Sequence, residues 1–405
     1  MAHLRRRYLQ HVLEKAKNFS PLLGVLGHRQ VGKTTLLESL SKHYYSMDDR
    51  AEKDSAIADP KSYLKKRSQG WVALDEVQEV PDLFPALKEW VRTSRQRPGQ
   101  FLLSGSVRFT SRADVRESLT GRILNFELLP FTVGELEEEP MSDFFFRAVG
   151  ADSFRPIAER FALDGRSFAS KTKRIEQYLV QGGLPGICFI RDAAIRASRI
   201  HSQLQTILDR DVRTVVPTTL PYQSLLRVIE SLAELQGSIL DYSELSRKTE
   251  VSRPTLRKLI YGLESVFLLR LVPVQGARKG YGYYFEDLGE RYSLLSGSAV
   301  PAGGLEHFVF RHASAEFNYR LGDRARFFKY YSHGGHVPVV MEYGGKFLGI
   351  ICLEEADSDP SRSELMTAYS FLRSYPSSKV IFAHKGRHSK LISDRLAIVP
   401  VAWMV

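Results

Sequence analysis

Cysteine is scarce in this sequence of 405 residues: Cys188 and Cys352 are the two present. Two thiols so far apart offer no disulfide framework and no cysteine-based zinc site, and they fit a reducing interior. Long apolar runs are missing too. No stretch approaches the roughly 20 apolar residues of a membrane-spanning helix. The tail from Ala397 to Val405 is too short and reads as a final strand. The opening Met-Ala-His-Leu-Arg-Arg-Arg-Tyr lacks the apolar core of a signal peptide. These absences predict a cytoplasmic protein with no membrane contact. Internal repeats and low-complexity tracts are absent as well. Acidic residues are the minority charge, 46 against 57 Lys plus Arg, an excess that permits nucleic-acid contact without requiring it. What is present in quantity is apolar surface: a hydrophobic share of 43% builds sizeable cores, and the length suggests two to four domains.

Residues 22 to 35 organise the rest. Leu22 to Leu26 form an apolar run that suits a buried parallel strand. Gly27, Gly32, Lys33 and Thr34 then match G-x-x-x-x-G-K-[ST], and Leu36, Leu37 and Leu40 continue at helical intervals. In such a strand–loop–helix, glycines let successive backbone N–H groups turn toward phosphate oxygens, and the helix aims its positive end at the same anion. Gly27, His28, Arg29, Gln30, Val31, Gly32, Lys33, Thr34 and Thr35 are thus the candidate nucleotide-binding residues. Lys33 is expected at the β/γ-phosphates, and the Thr34 hydroxyl on Mg²⁺. About 40 residues on, Trp-Val-Ala-Leu-Asp-Glu at 71 to 76 is an apolar strand ending in two carboxylates. Asp75 is the candidate Mg²⁺ residue, acting through water, and Glu76 the base that polarises the attacking water. An Asn-Lys-x-Asp guanine motif is missing, which favours ATP over GTP.

Taken in order, residues 3 to 18 read as a basic amphipathic helix with Leu4, Tyr8, Val12 and Leu13 on its apolar side. Arg5, Arg6 and Arg7 suit either a solvated face or phosphate contact. Residues 43 to 48 suit a second strand, and Pro81 to Thr93 a helix. Gln-Phe-Leu-Leu-Ser-Gly-Ser at 100 to 106 ends a strand in hydroxyls, so Ser104 or Ser106 is a candidate γ-phosphate sensor or an ordinary strand exit. Residues 118 to 130 read as a further strand after a Gly-Arg turn, and Arg122 is either a phosphate-stabilising arginine, in its own subunit or a neighbour, or a surface residue. Glu135, Glu137, Glu138, Glu139 and Pro140 form an acidic patch that closes the first domain. Helices follow over 141 to 220, broken at Gln-Gly-Gly-Leu-Pro-Gly, 181 to 186. Arg210 and Arg213 are second-rank finger candidates beside aspartates that can pair with them.

From 221 to 275 the pattern is three helices and then an apolar strand, Val266 to Val274, a winged helix-turn-helix layout. Arg247, Lys248, Arg253, Arg257 and Lys258 would serve DNA, although such modules also serve protein contacts. The remainder, 276 to 405, alternates strands and helices. Strands are expected at Arg326 to Tyr331, Pro338 to Glu342, Phe347 to Leu353 and Val380 to Ala383. His333 and His336 sit in a Gly-Gly neighbourhood that reads as a hairpin turn rather than a metal site.

The Gly-His-Arg-Gln-Val-Gly-Lys-Thr-Thr-Leu loop and Leu-Asp-Glu-Val-Gln-Glu-Val-Pro at 74 to 81 resemble the prokaryotic AAA-type ATPases of the archaeal-ATPase and STAND neighbourhood. Phe-Leu-Leu-Ser-Gly-Ser, Ser-Leu-Thr-Gly-Arg, Gln-Gly-Gly-Leu-Pro and Leu-Asp-Arg-Asp-Val resemble the same family's later motifs and its helical lid. The resemblance implies an α/β architecture: a P-loop AAA-type core (1–140), a helical lid (141–220), a winged helix (221–275) and a restriction-endonuclease-like domain (276–405). An active nuclease of that kind carries a Glu, then Glu-Val-Asp, then Glu-Val-Lys on adjacent strands. Glu306 matches the first, but His336-Val337-Pro338 puts proline where the metal-binding Asp belongs, and Ile351-Cys352-Leu353 puts leucine where the Lys belongs. Glu354 and Glu355 are near, but in a strand of period two an off-register carboxylate points to the wrong face. The domain reads as a degenerate, inactive nuclease fold.

The expectation is therefore a Mg²⁺-dependent ATPase whose nucleotide state moves winged-helix and C-terminal effector domains. The alternatives are a non-hydrolysing nucleotide switch and an ATP-regulated DNA-binding protein. ATP and Mg²⁺ are the expected cofactors. DNA, a protein partner on the C-terminal domain and further copies of the chain are the expected contacts.

Overall fold

The computed structural model describes residues 4–93, 97–108, 121–295, 300–320 and 324–405. Two compact units are formed, each from three separated stretches of chain. The first takes Met1–Pro130, Leu184–Tyr222 and Pro254–Leu268, and the second takes Phe131–Gly183, Gln223–Arg253 and Leu269–Val405. The units thus interleave along the chain rather than following one another.

The first unit is built on five parallel strands: β1 (Leu22–Leu26), β2 (His43–Ser46), β3 (Val72–Asp75), β4 (Phe101–Gly105) and β5 (Ile123–Glu127). Their order is β2-β3-β4-β1-β5. Strands β1, β3 and β4 are buried at every position, the continuous apolar signature of a parallel strand covered on both faces. The order matters for chemistry. Strand β4 lies between β1 and β3, so the loops after β1, β4 and β3 emerge side by side at one end of the sheet. Ligands of open α/β sheets bind at such carboxyl ends. Among the described residues of the N-terminal stretch the helices are α1 (Tyr8–Ala16), α2 (Lys33–Leu40), α3 (Arg50–Ala58), α4 (Pro60–Lys66) and α5 (Leu83–Thr93). In α5, Leu83, Phe84, Leu87 and Val91 are buried at helical spacing, as expected. In α1 the buried stripe is Leu9, Val12, Leu13 and Ala16. The expected stripe needs correction: the helix starts at Tyr8, and Leu4 lies outside it, 70% exposed. Residue 3 and residues 118 to 120 of the expected elements lie outside the described residues.

The second unit holds an eight-stranded mixed sheet in the order β12-β13-β11-β10-β9-β8-β6-β7. Its strands are β6 (Leu269–Gly276), β7 (Gly280–Phe285), β8 (Arg326–Tyr331), β9 (His336–Tyr343), β10 (Lys346–Cys352), β11 (Ser378–His384), β12 (Lys390–Ser393) and β13 (Leu396–Pro400). Each of the four strands expected from 326 to 383 is present. Two faces bury apolar side chains at alternate positions. Val339, Met341, Leu348 and Ile350 join a cluster with the helices Phe144–Gly150, Gly165–Gln181 and Gly304–Asn318. Phe328, Tyr330, Val340 and Ile351 join another with the helix Arg362–Ser374.

Several boundaries differ from expectation for physical reasons. The strand expected from Val266 begins at Leu269, because Phe267 takes a left-handed conformation, φ 58°, that breaks extension. That strand and β7 form a hairpin on the edge of the eight-stranded sheet. The expected tail strand stops at Pro400, and Val401–Met404 forms a 3₁₀ turn. Glu135 is no surface patch residue: it is buried and forms a capping box with Thr132. The Gln-Gly-Gly-Leu-Pro break ends the helix Gly165–Gln181 at Gly182, φ 67°. A Cβ there would stand 2.1 Å from Asp287 Oδ1, and the next N–H, on Gly183, donates to Asp287 Oδ2 at 2.7 Å. Helices form over Tyr222–Leu235, Tyr242–Thr249 and Arg253–Ser265, where three helices were expected. The first two fall in the second unit from Gln223, and the third falls in the first unit from Pro254.

Candidate nucleotide site

The loop after β1 turns sharply twice. Gln30 has φ 60° and Gly32 φ 95°, both left-handed, so N–H groups on either side can face a common anion. At Gly27 the constraint is space, since a Cβ would stand 2.3 Å from the Leu128 carbonyl. Arg7 ties the loop from outside. It is buried, its Nη1 donating to Val31 O at 2.8 Å and its Nη2 to Leu129 O. The expectation that Arg7 sits on a solvated or phosphate-contacting face is thereby corrected: its guanidinium is buried and donates to the Val31 and Leu129 carbonyls.

Lys33 opens α2 and points back into the loop, donating from Nζ to Gly27 O and His28 O, both at 3.1 Å. Burial pulls its ammonium below the ordinary range, while the nearby Glu76 and Asp75 oppose that shift. The Glu76 carboxylate lies 4.0 Å away. From α2 the Thr34 hydroxyl donates to Asp75 Oδ2 at 2.7 Å. Tyr44, on β2, donates to the same oxygen at 2.6 Å; burial and this bond raise its hydroxyl above the usual tyrosine range. Ser104, on β4, donates to Asp75 Oδ1 and accepts the Glu76 N–H at 3.1 Å. Glu76 has φ 52°, a left-handed turn at the strand tip that directs its carboxylate toward Lys33. Its Oε2 accepts from Gln78 Nε2 and from Ser106 Oγ, the latter at 3.2 Å.

The donor set suits Mg²⁺. It is made of hard oxygens, with one hydroxyl and one carboxylate already adjacent, and Mg²⁺ typically takes one or two protein oxygens beside phosphate and water. Among the described residues no group of three or more His, Cys, Asp or Glu could hold a metal by itself. Thr34 and Asp75 are the residues that would hold it.

Residues 20–137 match the family model of an AAA domain. This stretch is an AAA-type P-loop domain. Residues 172–284 match a second model, a domain of unknown function. Uncharacterized proteins of Mycobacterium tuberculosis and Mycobacterium bovis are each 27% identical over 301 residues, 72% of this chain. The matched region spans 60% of the length of those relatives. A Walker-type ATPase of Pyrococcus abyssi is 17% identical, with a TM-score of 0.40, over 71% of this chain and 95% of its own. At that score the likeness carries no argument about function.

Against the AAA site the other expected residues fall into two groups. Lys33, Thr34, Asp75, Glu76, Ser104 and Ser106 converge, as their motifs predict. Arg122 does not. It precedes β5, whose Ile123 pairs with Leu22 at the start of β1, so it stands at the opposite end of the sheet from the loop. A phosphate role within its own subunit is thereby corrected. Arg210 Nη2 donates to Glu79 Oε1 at 2.9 Å, and Arg213 donates to the Thr218 and Leu220 carbonyls, both at 2.8 Å. Sequence reasoning missed Tyr44 and Gln78, and it gave Asp211 only as a pairing partner of the nearby arginines, whereas its carboxylate accepts from Arg29. Only Gln78, two residues after Glu76, had a local signal. The others arrive from distant segments through sheet order and helix packing.

In the second unit Glu306 lines a cleft of about 650 Å³ with His336, Pro338, Cys352, Leu353, Glu354 and Lys385. Its Oε1 accepts from Lys329 Nζ at 2.5 Å and from Tyr284 OH at 2.5 Å. Pro338 offers only its carbonyl, which lies 3.2 Å from Tyr284 OH. Ser332 and Gly335 close a hairpin, the Ser332 N–H donating to Gly335 O at 2.9 Å, and His336 stacks on Tyr331 at 4.9 Å. No metal-holding group occurs there among the described residues. No helix among the described residues is long and apolar enough to cross a membrane.

Proposed function

We propose that this chain binds ATP with Mg²⁺ at the AAA loop and hydrolyses it. The observation that carries the reading is the convergence of Lys33, Thr34 and Ser104 on the Asp75–Glu76 pair. Bound Mg²⁺ would neutralise phosphate charge. Lys33 leaves the Gly27 and His28 carbonyls to grip the β/γ-phosphates. Asp75 keeps the Thr34 hydroxyl oriented. Glu76 accepts a proton from the attacking water. Ser104, holding both the Asp75 carboxylate and the Glu76 N–H, fixes the two carboxylates relative to each other. Hydrolysis then moves the winged-helix and C-terminal elements, which act as effectors through protein contact or, by the basic residues Arg247 to Lys258, through DNA. The nuclease-like domain takes no part in cleavage.

One observation favours a slower variant of this reading. Glu76 Oε2 is engaged by Gln78 and Ser106, which holds the base away from free rotation. Such an enzyme is a switch with low basal turnover that rises when a partner releases Glu76. The test is ATP turnover by purified protein, with and without DNA, beside Lys33→Ala. Turnover abolished in Lys33→Ala supports the reading; unchanged ATP binding by that variant in calorimetry refutes the site.

A further inference from the structure

The helix Ala193–Thr206 runs directly into a π-helical stretch, Ile207–Val212. Widened turns of this kind are rare and sacrifice hydrogen-bond geometry; they persist where a side chain has to be aimed off the regular helical path. Here the widening sends two consecutive residues to two different segments of the nucleotide site. Arg210 Nη2 donates to Glu79 Oε1 at 2.9 Å, three residues beyond Glu76. Asp211 Oδ2 accepts from Arg29 Nη1 at 3.3 Å, within the P-loop itself. About two turns earlier, Gln203 Nε2 lies 3.5 Å from His28 Nδ1.

Asp211 is an odd residue to find there. Its carboxylate is buried, at 7% exposure, and burial, reinforced by Glu76, holds its carboxyl above the usual range. The Lys33 ammonium feels it together with Glu76, Asp75 and Arg29. With the Arg210 guanidinium 4.0 Å from Asp211 Oδ1, three carboxylates and three cations therefore share one pocket. A triphosphate entering that pocket adds more negative charge. Asp75 answers to Mg²⁺ and Glu76 to water, but Asp211 has no such role and simply repels the ligand. It also occupies Arg29, a guanidinium whose planar fork matches a phosphate as well as it matches a carboxylate.

Resting on the ATP-binding reading above, we propose that Asp211 is a positioning residue that competes with the nucleotide's outer phosphates for Arg29. Phosphate displaces the carboxylate, Arg29 swings onto the ligand, and the π-turn loses its hold on the loop while Arg210 stays on Glu79. The turn thereby registers nucleotide through one bond that breaks and one that remains.

The test is calorimetric titration of ATP and AMP into the wild type, Asp211→Asn, Asp211→Ala, Arg29→Gln and Arg29→Gln/Asp211→Asn, with melting curves on each. Either Asp211 variant is expected to bind ATP at least about fivefold tighter, the low end of ordinary coupling between sites. AMP, which lacks the outer phosphates, is expected to change less than twofold. Arg29→Gln is expected to bind ATP more weakly, and the gain from Asp211→Asn is expected to fall by half or more in the Arg29→Gln background. A merely structural ion pair predicts the reverse: Asp211 variants that melt lower and bind ATP no tighter. That result, or Arg29→Gln binding ATP as tightly as the wild type, overturns the proposal while ATP binding itself stands. If neither the wild type nor the Asp211 variants bind ATP, the nucleotide reading falls and this one with it.

Discussion

Replacing Lys329 with methionine tests what the second unit's cleft is for. The Lys329 side chain has no solvent exposure and Glu306 only 10%, and their charged atoms lie 2.5 Å apart. The lysine stem runs across Gly282, where a Cβ would stand 2.7 Å from its Cδ, and the ammonium lies 4.6 Å from the Tyr284 ring centre. Opposite charges about 3 Å apart attract by roughly 5 kcal/mol at an effective dielectric of about 20. Desolvation of both ions cancels most of that, so the intact pair adds little net stability. Removing one partner is different, because it strands a buried charge, at a cost of about 3–5 kcal/mol. Lys329→Met should therefore lower the melting temperature of this unit of about 220 residues by roughly 10 °C. Lys329→Met/Glu306→Gln should recover most of the loss, since no charge is left unpaired. The assay is a double-mutant cycle of thermal melts, followed where possible through Trp403, the second unit's tryptophan. Single and double variants that melt with additive losses would refute the pairing. So would Mg²⁺ or Mn²⁺ stabilising the wild type but not Glu306→Gln, for Glu306 would then be serving a metal.

Further outcomes follow from the same geometry. Glu76→Gln should still bind Mg-ATP but turn over at least roughly 10²-fold slower in a phosphate-release assay, the scale of lost general-base catalysis. Charge reversal at Arg253, Arg257 and Lys258 should abolish a salt-dependent gel shift; wild-type protein giving no shift at low salt would make the helices protein-binding. Glu316 is buried and its carboxyl is pushed up to about 7, although it accepts the Phe146 and Phe145 N–H groups. A carboxyl raised in the folded state binds its proton more tightly folded than unfolded, so its contribution is present below about pH 4.5 and is lost as pH rises through about 7. Melts from pH 5 to 8 should show Glu316→Gln lacking that loss, with the difference from wild type growing across the window. His312, pulled down to about 3 by burial, acts oppositely in both proteins and cancels in the comparison.

The convergence of Lys33, Thr34, Asp75 and Glu76 at the candidate nucleotide site was legible because its parts are local. Leu22 to Thr34 is one strand, one turn and one helix, and each residue type answers to its neighbours in sequence. Val72 to Glu76 repeats the logic. What was not legible is whatever the sheet order decides. Nothing near Tyr44 says that β2 will set its hydroxyl on Asp75, and nothing near Arg122 says that parallel pairing with Leu22 carries it to the far end of the sheet. The same holds for charge. Arg5, Arg6 and Arg7 look alike in sequence, yet Arg7 alone of the three is buried. A run of like residues reports a mean environment, whereas a single guanidinium is fixed by two carbonyls 24 and 122 positions away. The cleft around Glu306 makes the point most sharply. Pro338 and Leu353 lack a carboxylate and an ammonium, and that much is a local fact of the sequence. That Lys329 would instead be buried against Glu306 depends on β8 lying beside β9 and on Gly282 leaving room for its stem. Which functional groups a strand lacks can be read from the strand alone, but the partners its neighbours bring to it cannot.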